Sequence, residues 1–265
     1  NVANNGWGNL TMVILPILIG AAVIALFIHR QLQLDVPFLD VRVFKVKQFS
    51  ITTAAITLSM MAMMGVEMML PLYLQNVHGL SALDSGLALL PGALMMGLVS
   101  PIAGRVYDKV GARRMALVGF SILAIGTIPF TFLTATTPDH FITLLYAIRM
   151  FGIAMVMMPL TASAMSALPP HEAAHGTAAN NTARQIASAI VVALLSSVTQ
   201  NVINTNKPAK LLLTNDPLAY ASKMIDASLK GFQTSFTIGL IFALLGIIVA
   251  LFLRKGKHIE IERDL

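Results

Sequence analysis

Two charged residues lie where charge is expensive. Glu67 falls in the stretch Ser50–Leu74 and Arg149 in Phe141–Met165, both otherwise composed mainly of apolar side chains. Removing either from water costs several kcal/mol unless it is paired, hydrated or neutralised. Counted from Leu74 and from Phe141, the two share a depth of roughly 10–12 Å at the helical rise. Two readings are open: a structural ion pair, or a site where a carboxylate exchanges a proton for another cation. Methionine adds to the second reading. Met60, Met64, Glu67 and Pro71 fall on one helical face, and Met150, Met155, Met157, Met158 and Met165 crowd the Arg149 stretch. An acid among flexible, polarizable thioethers, with Met60, Met64 and Met157 as candidate lining, suits a hydrophobic cation of variable shape. Any single Met also serves as a gap-filler.

A second pattern points to different chemistry. His171-Glu172-Ala173-Ala174-His175 is a literal H-E-x-x-H, in which two His at i and i+4 bind Zn²⁺ and the Glu serves as general base. Its surroundings argue against a metalloprotease. Pro169-Pro170 and Gly176 bracket the segment, leaving room for little more than one helical turn, and a third ligand is hard to find. We expect a short solvated loop, no bound metal and no cofactor. A P-loop and a dinucleotide fingerprint are both missing from the sequence.

The elements that must position these residues follow from composition. Hydrophobic residues make up 56% of the chain and charged residues 11%, with mean hydropathy +0.77, so the expected solvent is a bilayer. Apolar blocks of about 20 residues, the length of a helix crossing about 30 Å of hydrocarbon, recur about seven times. They are Leu10–Ile28, Ser50–Leu74, Gly86–Ile102, Met115–Leu133, Phe141–Met165, Ala183–Val202 and Phe232–Leu253. The fold class is therefore an all-α integral membrane protein, and the period-2 alternation of a membrane barrel is absent. Alternate connections are basic: Arg30, Arg42, Lys45 and Lys47, then Arg105, Lys109, Arg113 and Arg114, then Arg254, Lys255, Lys257 and Arg263. This asymmetry predicts a cytoplasmic C-terminus and residue 1 outside, and it explains the +6 charge without nucleic acid. With no cysteine there is neither disulfide framework nor thiol chemistry.

Between the third and fourth blocks lies Gly104-Arg105-Val106-Tyr107-Asp108-Lys109-Val110-Gly111-Ala112-Arg113-Arg114. The stretch reads as a tight turn between helices: Gly104 for close approach, Asp108 for backbone N–H groups or a helix N-terminus, Gly111 for a backbone conformation closed to other residues. The pattern resembles the cytoplasmic loop of the major facilitator superfamily. Leu70-Pro71-Leu72-Tyr73-Leu74-Gln75-Asn76-Val77-His78-Gly79, Ser85-Gly86-Leu87, Leu90-Pro91-Gly92, Ala183-Arg184-Gln185 and Trp7-Gly8 are similar to stretches of its fourteen-helix drug:proton antiporters.

The resemblance implies a major facilitator fold in which residues 1–48 supply one extra central helix and a linker. It assigns 49–254 to the C-terminal six-helix bundle and 255–265 to a cytoplasmic tail. A proton-coupled exporter of hydrophobic or cationic drugs in a bacterial inner membrane is the implied function, and a carrier for a nutrient, lipid or siderophore is the alternative. The implied partners are substrate, protons, lipid and an N-terminal six-helix bundle that we expect to precede Asn1. Gly104, Asp108, Lys109, Gly111, Arg113 and Arg114 become a conformational-switch loop. Glu67 and Arg149 come to lie on the helices that open two three-helix repeats and line the cavity.

Smaller expectations complete the reading. Ala93, Gly97, Pro101 and Gly104, and Gly239, Ala243, Gly246 and Ala250, are spaced for close helix packing. The long connection from Ile203 to Gly231 should hold a short amphipathic helix capped by Asp216 and opened by Pro217, lying on the outer surface.

Overall fold

The structure is a computed structural model that describes residues 10–34, 37 and 39–254. Trp7-Gly8 and the tail 255–265, with Lys255, Lys257 and Arg263, lie outside the described residues. Among the described residues there is no strand, and seven helices are long and apolar enough to cross a membrane. A π-turn at Leu10–Ile14 leads into α1 (Leu15–Gln33). Then come α2 (Lys47–Asn76), α3 (Ala82–Val110) and α4 (Ala112–Thr127), the last extended by a 3₁₀ turn to Phe132. The chain continues through α5 (Asp139–Ser166), α6 (Ala173–Asn206), the short α7 (Lys210–Asn215) and α8 (Pro217–Leu251).

Local chemistry sets several of these boundaries. The Ser81 hydroxyl accepts from the Asp84 N–H at the start of α3, filling one of the bonds a helix N-terminus lacks. A single residue, Gly111, separates α3 from α4, and its φ of 82° lies in the region that side chains disfavour. The Asp216 carboxylate accepts from the Ala219 N–H ahead of Pro217, the expected cap and first residue. Beyond that cap the fold departs from expectation. α8 runs unbroken from Pro217 to Leu251, so the amphipathic segment is the first part of a membrane helix and not a separate element lying on the surface. α6 likewise begins at Ala173 and passes through Gly176, so the second half of H-E-x-x-H is helical and the short-loop expectation fails. One glycine lowers helix propensity by about 1 kcal/mol, too little to stop a helix of this length.

Packing repeats itself across the bundle. α3 packs on α5 as α6 packs on α2, α4 packs on α5 as α8 packs on α2, and α4 meets α8. Two three-helix units, α2–α3–α4 and α5–α6–α8, therefore interlock with α2 and α5 at the centre. Close approach is achieved differently in different places. A Cβ on Gly152 would sit 2.8 Å from both the Gly119 oxygen and the Leu123 nitrogen, so α4 and α5 touch through their backbones. Gly239, Ala243, Gly246 and Ala250 are buried on α8, as their spacing predicts. The stripe on α3 does not pack this way: Ala93, Gly97 and Pro101 are exposed, and a Cβ on Gly97 would meet nothing within 4 Å.

Two ends of the bundle can be named by their positive-φ glycines. The Asp40 N–H donates to His175 Nδ1 at 3.3 Å, and the Arg254 N–H to Gln48 Oε1 at 3.4 Å. These bonds gather the linker before α2, the start of α6 and the end of α8 at the Gly111 end. Arg42, Lys45, Lys47, Arg113 and Arg114 lie there as well. The Gly79 end holds the starts of α3, α5 and α8.

Candidate functional site

Arg149 is the largest side chain that the bundle buries completely. Its guanidinium is built into three elements. Nε donates to Thr127 Oγ1 on α4 at 2.8 Å, and Nη2 donates to the Ala62 carbonyl on α2 at 3.0 Å. The cation also lies over the Phe130 ring at 5.7 Å, a favourable approach to the negative face of an aromatic. Thr127 is itself anchored by donating to the Leu123 carbonyl at 2.6 Å. Gly126 makes the room: a Cβ there would come within 2.9 Å of the Arg149 Cγ. Nη1, in contrast, is buried with no hydrogen-bond partner.

Glu67 is half-buried on α2 and makes no ion pair with Arg149; its Oε2 is buried without a hydrogen-bond partner. The two residues and Tyr146 nonetheless lie close enough to act on one another through space. Of the two sequence readings, the structural ion pair is therefore not the arrangement seen here. Arg149 Nε and Nη2 bond neutral acceptors, the Thr127 hydroxyl on α4 and the Ala62 carbonyl on α2, and neither nitrogen holds the Glu67 carboxylate. Pro71, four residues on in the same helix, has no N–H to offer the Glu67 backbone carbonyl, so that carbonyl lacks its usual helical bond.

Met60 and Met64 are half-buried on the same face of α2 as Glu67. The sulfur of Met157, half-buried on α5, lies 3.0 Å from Ser59 Oγ, which places it against α2 near Met60. Spacing alone missed three neighbours of this site: Thr127, Phe130 and Tyr146. Gly126-Thr127 ahead of Pro129 was a usable signal, a small residue beside a hydroxyl inside an apolar block. Tyr146, 4% exposed, packs its ring against Gly92, where a Cβ would come within 2.3 Å of it. Arg184 is a further helical charge: it falls inside α6, half-buried, with no ion pair among the described residues.

The loop residues lie together at the Gly111 end. Asp108 and Lys109 are exposed in the last turn of α3, and Arg113 and Arg114 open α4. Asp108 caps nothing, since no side chain caps α4. A Cβ built on Gly104 would meet only Met158, at an ordinary 3.8 Å, so close approach is not its role within these residues. The H-E-x-x-H residues gather no metal set: among the described residues no group of three or more candidate ligands forms. His175 is instead hydrogen-bonded to the Asp40 backbone.

The described residues form a bundle of seven helices long and apolar enough to cross a membrane, with charge in its middle, and the class of multi-pass membrane proteins follows. The family model described as Major Facilitator Superfamily matches residues 2–192, and the chain belongs to that family. It is similar to the uncharacterized MFS-type transporter YcnB of Bacillus subtilis (strain 168), 41% identical over 97% of this chain and 52% of that protein. Lincomycin resistance protein LmrB of Listeria innocua serovar 6a is 34% identical over 97% of this chain and 53% of its own length. The multidrug resistance protein B homolog of Mycobacterium tuberculosis (strain CDC 1551 / Oshkosh) is 30% identical over 84% and 43%. The chain spans about half the length of the curated relatives it matches.

Proposed function

We propose that this chain is the C-terminal portion of a proton-coupled exporter of hydrophobic and cationic compounds, of the fourteen-helix antiporter type. The observation that carries the reading is the carboxylate of Glu67, inside a membrane helix, with a buried oxygen that has no hydrogen-bond partner and no ion pair to the nearby Arg149. A proton and a cationic substrate then compete for one group, and each displaces the other as the site alternates between the two sides. Met60, Met64 and Met157 supply an adaptable apolar wall. Relatives named for lincomycin and multidrug resistance support the substrate class.

Under this proposal residues 1–48 add a helix and linker, 49–254 form one bundle, and 255–265 form a tail. A second six-helix bundle faces α3 and α6, whose membrane windows are only 11% and 22% buried, against 50% for α2 and 56% for α5. The Gly111 end faces the cytoplasm of a bacterial cell, as the placement of Arg and Lys favours. There Gly104, Asp108, Lys109, Gly111, Arg113 and Arg114 meet the other bundle in one state and part in the other.

Glu67→Gln in the full-length carrier is the test, with export of a dication, a monocation and a neutral compound measured across a fixed pH gradient. The two cations should lose most of their export and the neutral compound less, with Glu67→Asp partly active. Equal export of all three by wild type and variant would defeat the proposal. Asp108→Asn should leave insertion intact while shifting the balance of inward and outward states. Unchanged transport together with unchanged labelling of the Gly111 end would remove the switch role.

A further inference from the structure

A carbonyl oxygen can only accept a hydrogen bond, so a hydroxyl beside one must direct its single proton there. Tyr73 Oη lies 2.7 Å from the Thr134 carbonyl oxygen and is thereby used as a donor. The same oxygen lies 2.9 Å from His78 Nε2, and with its proton committed it can only accept, so Nε2 donates. On the other side of the ring His78 Nδ1 lies 2.7 Å from Asp139 Oδ1. An ionised carboxylate also only accepts. Both ring nitrogens therefore face acceptors, and only the doubly protonated imidazolium satisfies both bonds. A neutral ring would press a lone pair against the carboxylate. The Asp139 side chain is 47% exposed, so water solvates its negative charge, whereas the His78 side chain is 9% exposed.

From this count of donors and acceptors we propose that Tyr73, His78 and Asp139 form a proton-holding site at the Gly79 end, whose bound proton ties the end of α2 to the start of α5. The site is separate from Glu67 and does not depend on the substrate class proposed above. Its walls are aromatic. The His78 ring lies 5.0 Å from Tyr73, whose own ring meets Phe232 edge-on at 6.0 Å and Phe236 at 6.5 Å. The other titratable groups at this end come from each neighbouring element and none bonds His78. Asp84 on α3 bonds Ser81, Lys230 on α8 bonds Asn206, Asp216 caps α8, and Lys207 after α6, Tyr220, Lys223 and Asp226 on α8 and His140 on α5 make no bond to the ring. Asp139 is thus the charged partner of His78 among the described residues.

The donors set the sign of the effect. With the proton bound, an ion pair and two hydrogen bonds join α2 to α5 and to the loop at Thr134. Without the Nδ1 proton, attraction to Asp139 would give way to lone-pair repulsion, and the joint would loosen. Because α2 carries Glu67 and α5 carries Arg149, a proton taken up at this end bears on how the two helices sit in mid-membrane.

Ring-¹⁵N-labelled histidine in the purified full chain, reconstituted in lipid, reads the site directly. The chain has 6 His, and His78→Gln assigns the signal by its loss. Near pH 7 both His78 nitrogens should resonate as protonated, and Nδ1 should lose its proton as pH is raised. In Asp139→Asn the amide N–H can donate to Nδ1, so the ring should become neutral with Nδ1 unprotonated while the joint stays closed. Amide exchange over residues 74–81, corrected for the intrinsic rate, should accelerate by roughly tenfold or more in wild type as the proton leaves, the size of a hydrogen bond to a charged group. In Asp139→Asn it should be flat with pH. A neutral His78 ring near pH 7 in wild type would overturn the proposal, and so would a doubly protonated ring in Asp139→Asn. If that variant does not fold, the wild-type ring signals decide alone.

Discussion

Arg149 and His78 both meet polar partners beside α2, and they are held in opposite ways. His78 meets a carboxylate directly at 2.7 Å, and every proton on its ring has an acceptor. Arg149 has a carboxylate nearby yet binds a threonine hydroxyl, a backbone carbonyl and a ring face, with one nitrogen left idle. The difference separates two uses of buried charge. An ion pair closed at the end of a bundle ties helices together and is finished when formed. A cation satisfied by neutral groups in mid-membrane leaves its neighbouring acid available to something that comes and goes.

The contrast can be broken in four places, taken from the largest expected effect to the smallest. Arg149→Ala strips α2, α4 and the Phe130 turn of their common anchor. It should cost about 3–5 kcal/mol, from the cavity left by a large buried side chain together with two hydrogen bonds made by a charged group, as measured by reversible unfolding in mixed micelles. If it costs less than about 1 kcal/mol, Arg149 is not the anchor described. Gly126→Ala tests the same anchor from the side, because its Cβ would press within 2.9 Å of the Arg149 stem. Overpacking of this kind costs about 1–3 kcal/mol, and the loss should vanish in an Arg149→Ala background if the stem is the obstacle. Tyr73→Phe removes the hydroxyl shared by Thr134 and His78. About 1–2 kcal/mol should be lost, with faster exchange confined to the Gly79 end. Glu67→Gln should change stability by no more than about 0.5–1 kcal/mol, since a side chain that holds nothing together costs little to neutralise. A loss like that of Arg149→Ala would mean that Glu67 is a structural partner after all.

The sequence made one member of the inner site plain and concealed its wiring. Glu67 stands out as an acid among apolar residues, but Thr127 and Ala62, which occupy Arg149 in its place, belong to helices 22 and 87 positions away in the chain. The outer cluster was hidden for the same reason: His78 and Asp139 are 61 positions apart and look like ordinary polar residues between apolar blocks. The seven spans were legible because bilayer thickness imposes a block length on the sequence. Their ends were not, because a helix continues as long as its backbone bonds are made, whether or not its side chains are apolar. Hence α6 begins at Ala173, ten residues before the apolar block that marks it. Gly111 was legible at the level of a single dihedral angle, since a turn of one residue between two helices leaves little choice.

The length of α8 has a mechanical consequence. Its 35 residues make a rod of about 52 Å, against about 30 Å of hydrocarbon to cross. The apolar part begins near Phe232, so the helix exceeds the span that part needs by about 15 residues, or about 22 Å, an arm that packs on α6 at Gly231 and buries Ala227. Because no break separates arm from span, a tilt of the buried portion by about 10° would swing the tip by about 4 Å over that length. Leu218, 85% exposed near the tip, is a natural place to attach a probe that reads the tilt magnified. A binder that grips the arm would act as a brake on the whole bundle without ever entering the membrane.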